Sequence, residues 1–127
     1  MSELVKLKTE NQISFISMDD GKANAMSVEM LEGLNAALDE AERSGSVVIL
    51  SGRENVLSGG FDLGVFKSGD NAKILKMLTL GAELSHRMLS YPNPVIAACT
   101  GHAVAMGTFL LLCCDYRVGA SGNSKFA

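Results

Sequence analysis

The sequence has no tryptophan, two prolines, two histidines and three cysteines in 127 residues, and each scarcity narrows what the chain can do. Both prolines sit in Tyr91-Pro92-Asn93-Pro94, so there is no proline-rich linker, only one strong helix stop. Cys99, Cys113 and Cys114 are odd in number, two are adjacent, and none forms a C-x-x-C pair, which predicts reduced core thiols rather than a disulfide framework. Only His86 and His102 could supply imidazole, and no metal site is expected. Positive charge is not in surplus either. With 11 basic and 14 acidic side chains and a net charge of -3, no field is offered to a nucleic-acid backbone or an anionic membrane. The longest uncharged apolar stretch, Ala103 to Cys114, falls well short of the ~20 residues that cross a bilayer. The opening Met-Ser-Glu-Leu-Val-Lys-Leu-Lys lacks the apolar core and cleavage site of a secretory leader, and the protein is expected to be cytoplasmic.

What is present is apolar and periodic. A hydrophobic share of 47% against 20% charged is enough for one compact domain with its own core. Residues 4 to 8 and 13 to 18 predict two strands joined by Glu10-Asn11-Gln12. Ser27 offers an N-cap, Glu29 and Glu32 suit the positive end of a helix, and Val28, Leu31, Leu34, Leu38 and Ala41 recur at helical spacing, which predicts a helix over 28 to 43. Val47-Val48-Ile49-Leu50 reads as a strand buried on both faces, as in parallel sheets. A helix is predicted over 71 to 90 with Ile74, Leu75, Leu78, Leu84 and Met88 toward the core, then a strand at Val95 to Ala98, a short helix at Thr108 to Cys114 and a strand at Asp115 to Ala120. Strands alternating with crossover helices give an α/β fold class. The close at Lys125-Phe126-Ala127, after a Ser-Gly-Asn turn, has no capping element and predicts a continuation.

Two glycine-bearing loops, Ser58 to Gly64 and Gly101 to Gly107, stand between a strand and a helix, where α/β proteins expose main-chain N–H groups. Gly59 and Gly60 allow a tight turn and close ligand approach, leaving the Phe61 N–H free to donate; Ala103 to Gly107 opens a helix whose first N–H groups lack internal partners. Such loops hold phosphates, stabilise oxyanions or are simply sharp turns, and the loops alone leave these open. The spacing fits neither G-x-G-x-x-G nor a P-loop.

Four blocks in order carry a more specific resemblance: Gly21-Lys22-Ala23-Asn24-Ala25-Met26-Ser27, Ser58-Gly59-Gly60-Phe61-Asp62-Leu63, Pro94 to Ala98 with Thr100-Gly101-His102-Ala103, and Asp115-Tyr116-Arg117. Together they resemble the crotonase superfamily, the enoyl-CoA hydratase/isomerase enzymes, along essentially the whole chain. The resemblance implies a crotonase-like spiral of repeated β-β-α units, of which residues 1–127 are the N-terminal part of a single acyl-CoA-binding domain. It implies main-chain N–H donors at Phe61 and Met106 for a thioester oxyanion, and CoA contacts from Lys22, Ala23, Ala25, Gly60, Asp62 and Leu63. Coenzyme A would arrive as part of an acyl-CoA substrate rather than as a resident cofactor, and the full-length protein would form a trimer or a dimer of trimers.

In hydratases of the family a glutamate on the short helix orients the attacking water; Phe109 stands at that position here and can neither accept a proton nor orient water. The family's other carboxylate falls beyond Ala127. The resemblance therefore favours a one-base double-bond shift in an enoyl-CoA, with hydration or a non-catalytic acyl-CoA-binding module as alternatives. A core position for Phe109 on a buried helix is equally compatible with the sequence. Asp62 reads as a turn-fixing or cofactor-loop residue, His86 and His102 carry no assigned role, and Met77 and Met88 read as core.

Overall fold

The computed structural model describes residues 3–127. The sequence reading of the chain's opening partly concerns Met1 and Ser2, which lie outside the described residues. Strands β1 (Val5–Glu10) and β2 (Ile13–Met18) form an antiparallel hairpin, and its turn places Asn11 and Gln12 at φ 52° and 64°, a pair of left-handed residues that matches the twist of the strands it joins. A two-residue strand β3 (Ala25–Met26) leads into helix α1 (Val28–Arg43). Ser27 caps it, accepting the Met30 N–H at 3.1 Å, and Leu31, Leu34, Ala37, Leu38 and Ala41 form its buried face.

The chain continues through β4 (Val47–Ser51), β5 (Asn55–Ser58), β6 (Gly60–Phe61), α2 (Leu63–Lys67), α3 (Asn71–Leu89), β7 (Val95–Cys99), β8 (Gly101–Ala103), α4 (Met106–Cys113) and β9 (Tyr116–Gly119). The main sheet has the order β1-β2-β4-β7-β9, parallel from β2 onward. Helix α1 packs on β1, β2 and β4 and against α3, which in turn meets α4. The core lies between this helical layer and one sheet face, formed by Val5, Ile16, Met18, Val48, Leu50, Val95, Ala97 and Cys99.

The opposite sheet face is uncovered, which corrects the expectation that β4 is buried on both sides. Val47 and Ile49 are half-buried, and Ile49 lies in a cross-sheet row with Phe15, Ile96 and Tyr116, of which Phe15 is 42% and Tyr116 64% exposed. All four helices are needed elsewhere, so among the described residues no helix is stacked on that face. A second correction concerns α3. Its core positions are Met77, Gly81, Leu84 and Met88, whereas Leu75 and Leu78 point outward, 66% and 41% exposed. Asp70 supplies an unforeseen cap through the Lys73 N–H at 3.1 Å. Helix α4 starts at Met106 rather than Thr108, so the second glycine loop is shorter than the sequence suggests.

The three cysteines are free and buried, as expected for core thiols, and burial pushes the Cys114 thiol up to about 12. No helix among the described residues is long and apolar enough to cross a membrane.

Candidate functional site

Two short parallel strands build the site. β5 pairs with β8, with Ser58 opposite Ala103, so the two strands end together. The loops that follow, Gly59 to Asp62 and Val104 to Met106, therefore leave the sheet side by side. Each glycine loop follows one of these short strands, not the longer β4 or β7 as the sequence pattern suggested.

The approach between the loops is close. Gly60 has φ +100°, and a Cβ placed on it would lie 3.1 Å from the Ala105 Cβ, 3.1 Å from the Val104 oxygen and 3.4 Å from the Met106 nitrogen. A residue with a side chain would be strained there and would crowd the second loop. Ala105 itself has φ 53° and ψ -118°, a conformation normally left to glycine, which costs about 1–3 kcal/mol. It is held by its own N–H, donated to the Ala127 oxygen at 2.6 Å, and by Thr108, whose hydroxyl reaches the Ala103 and Ala127 oxygens at 2.8 and 2.7 Å. Met106 is the first residue of α4. Its N–H has no acceptor among the described residues, and its side chain is buried.

In front of these loops lies an open cleft of about 440 Å³ lined by Asp20, Lys22, Ala23, Ala25, Gly59, Gly60, Phe61, Asp62, Leu63 and Gly64. Every residue that the sequence nominated for binding, Lys22, Ala23, Ala25, Gly60, Asp62 and Leu63, borders it. Phe61 lines it as well, while Met106 is not part of the lining and comes near it only through its nitrogen, beside Gly60. Asp62 caps α2, its Oδ1 accepting the Gly64 N–H at 2.8 Å, which agrees with a turn-fixing role. Phe109 is 55% exposed on α4, so a core position is ruled out within residues 3–127. His86 is exposed on α3; His102 lies on β8, exposed, with Nδ1 accepting the Lys125 N–H at 2.8 Å.

Sequence reasoning missed the residues that hold the cleft's first wall. Asp20 Oδ1 accepts the N–H groups of Lys22 and Asn24 at 2.7 and 2.9 Å, and Oδ2 accepts that of Ala25 at 2.9 Å. Asn24 is fully buried, and its Nδ2 donates to the Met18 and Leu57 oxygens at 3.0 and 3.1 Å. Ser58 Oγ donates to the Asn24 oxygen at 2.7 Å and accepts the Gly60 N–H at 3.1 Å, tying the first wall to the glycine loop. An Asp four residues before an Asn, after a strand, was the available signal; such residues favour turns through side-chain to main-chain bonds.

Burial raises the Asp20 pKa, but the N–H groups of Ala25, Lys22 and Asn24 and the nearby Arg53 outweigh it, so the carboxyl is held below its ordinary 3.8. A lowered folded pKa contributes stability that is complete above the unfolded value and lost as pH falls through the folded one. Unfolding free energy is therefore expected to fall as pH drops below the ordinary carboxylate value of 3.8, and Asp20→Asn to flatten that slope. Denaturant titrations at several pH values would check it; a slope unchanged in Asp20→Asn would remove Asp20 from the linkage.

Comparison with known proteins returns one family over nearly the whole chain. The family model described as enoyl-CoA hydratase/isomerase matches residues 8–127. A probable enoyl-CoA hydratase of Bacillus subtilis is 30% identical over 91% of this chain and 46% of its own length. Among solved structures, an enoyl-CoA hydratase/isomerase family protein from Pseudomonas syringae is 41% identical with a TM-score of 0.92, over 95% of this chain and 52% of that one. A Mycobacterium tuberculosis protein is described in one structure as a probable enoyl-CoA hydratase, 48% identical with a TM-score of 0.88 over 91% of this chain and 49% of its own. In a second structure, without ligand, it is described as an enoyl-CoA isomerase, 47% identical with a TM-score of 0.85 over 92% and 51%. The chain spans about half the length of the curated relatives it matches.

Proposed function

The chain belongs to the enoyl-CoA hydratase/isomerase family, and from that premise we propose that residues 1–127 supply the CoA cleft and both main-chain donors, at Phe61 and Met106, of a thioester oxyanion hole. The α/β fold is that of the N-terminal portion of crotonase-type structures. The observation that carries the proposal is the common end of β5 and β8, which brings the Met106 main chain beside that of Gly60, a residue of the cleft lining.

The chemistry follows from that juxtaposition. A proton leaves C2 of a 3-enoyl-CoA to a base, the electron pair spreads onto the thioester oxygen, and the oxyanion is held by two N–H groups that need no reorganisation. The proton then returns at C4, and the double bond has moved to C2–C3. Each such donor is worth about 2.7–4 kcal/mol of barrier. We assign the base to the part of the relatives' length that this chain does not span. Coenzyme A enters with the substrate, its carrier lying along Lys22, Ala23 and Ala25, and a trimeric assembly or a dimer of trimers in the cytoplasm completes the reading. The description of a 47% identical relative as an isomerase supports the double-bond shift, and the description of the same protein as a hydratase keeps hydration as the second reading.

Acetoacetyl-CoA tests the hole without a protein base, because this β-keto thioester enolises unaided. Bound at neutral pH, it is expected to show a larger enolate absorbance than in buffer. Binding with no gain in enolate would reduce the cleft to an acyl-CoA-binding module.

A further inference from the structure

Both proposed donor residues send their side chains to the same glycine. Gly81 is buried in the middle of α3, and a Cβ built on it would meet Phe61 Cζ at 2.5 Å, Phe61 Cε1 at 2.7 Å and Met106 Cε at 3.5 Å. The first two distances are shorter than any ordinary carbon contact, so the Phe61 ring occupies the space where a Cβ would stand. From another side the ring is met edge-on by Phe66 of α2, with centroids 6.3 Å apart and planes at 88°. A glycine inside a helix of 19 residues weakens it by about 1 kcal/mol relative to alanine, so helix stability gives no reason for its presence.

Ser58 and Ala23 hold the N–H groups of Gly60 and Gly59, and beyond these the main chain at Phe61 rests on a short ladder. β6 is two residues long and pairs only with the two-residue β3. Met106 follows Ala105, whose conformation is itself unfavourable. The orientation of each N–H then depends on where its own side chain is seated.

We propose that Gly81 is a positioning residue for the oxyanion hole: the missing Cβ makes a seat on α3 for the Phe61 ring, with the Met106 methyl in ordinary contact beside it, and that seat sets the spacing of the Phe61 N–H from that of Met106. The inference rests on the oxyanion reading above. It gives α3, which contributes no residue to the cleft lining, control over the reacting oxygen.

Gly81→Ala displaces the ring by about 1 Å, and a misplacement of that size costs on the order of 100-fold in kcat. The test uses the active protein that carries the base, and measures enolate formation from acetoacetyl-CoA, kcat for a 3-enoyl-CoA and affinity for free CoA in the wild type, G81A, F61L and the F61L/G81A double variant. G81A is expected to lose kcat and enolate signal together, and by a larger factor than free CoA affinity, because the Asp20 bonds that hold Lys22, Asn24 and Ala25 remain in place. In the F61L background, where a smaller side chain leaves room for the Cβ, the same substitution should cost less than about tenfold. Equal losses in both backgrounds, or CoA affinity falling in step with kcat, overturns the seat. If G81A alone does not fold, recovery of folding in F61L/G81A with activity within about tenfold of F61L supports it, and failure of the double variant overturns it. A wild type without enolate signal overturns the oxyanion reading and the seat together; a wild-type signal that G81A retains overturns the seat alone.

Discussion

Asn24→Ala is expected to lower the unfolding free energy by about 4 kcal/mol, a large share of the ~5–15 kcal/mol that holds a domain together. Asn24 is 0% exposed and joins three segments, with Nδ2 on the Met18 and Leu57 oxygens and Oδ1 on the Asp20 N–H. Alanine strands two carbonyls in the interior, at about 1–3 kcal/mol each. It also places a Cβ without a compensating side-chain bond at φ 52°, which asparagine tolerates better. Urea unfolding would read the loss directly. A change below about 1 kcal/mol would mean that water reaches Met18 and Leu57 and that the segments are not held by this side chain.

On substrates, hydration of crotonyl-CoA by the active protein is expected to be slower than the double-bond shift of a 3-enoyl-CoA by on the order of 100-fold or more, the contribution of a positioned acid or base. Phe109 is the motive, since its ring offers no proton acceptor for water, while the proposed main-chain donors do not depend on it. Its 55% exposure means that Phe109→Glu should fold normally. That variant is expected to raise the hydration rate at least tenfold and leave the double-bond shift nearly unchanged. Steady-state rates on both substrates decide it. Efficient hydration by the wild type that persists in Phe109→Ala would show that no carboxylate is needed at that position and would sink the mechanism.

What could be read from the sequence was what repeats. Helix α1 was readable over its full range because Ser27 marks its start and five apolar residues keep a 3.6-residue period. Strands β4 and β7 announce themselves by opening on consecutive β-branched residues, and β2 by its apolar pattern. Strands β3, β6 and β8 are two or three residues long, too short to show a period, and exist because tertiary contacts bring their backbones together. Helix α2, five residues long, was invisible for the same reason. Leu75 and Leu78 misled because α3 carries more apolar residues than its buried stripe uses, and an apolar side chain on the surface breaks no rule.

The cleft was easier to read than its supports. Lys22, Ala23, Ala25, Gly60, Asp62 and Leu63 came from a resemblance of blocks, and the structure gathers all of them around one cleft. Asp20, Asn24 and Ser58 look like ordinary loop polars until the segments they join are seen to be neighbours. Gly81 left a faint trace, a lone glycine within a helical pattern, which usually has a packing reason that only the opposite side chain reveals.

The pairing of β5 with β8 has a consequence in time. The β1–β2 hairpin and α1 are local structures that a growing chain can form as soon as their residues emerge, whereas Ser58 must wait for Ala103, with all of α3 and β7 synthesised in between. Closing that loop costs entropy before any contact repays it, so parallel ladders of this kind form slowly. A ribosome-bound chain halted before residue 101 would already hold α1 against the hairpin and would have no second loop. Packing of the first core therefore precedes assembly of the site, and a nascent chain can be compact well before it can hold an oxyanion.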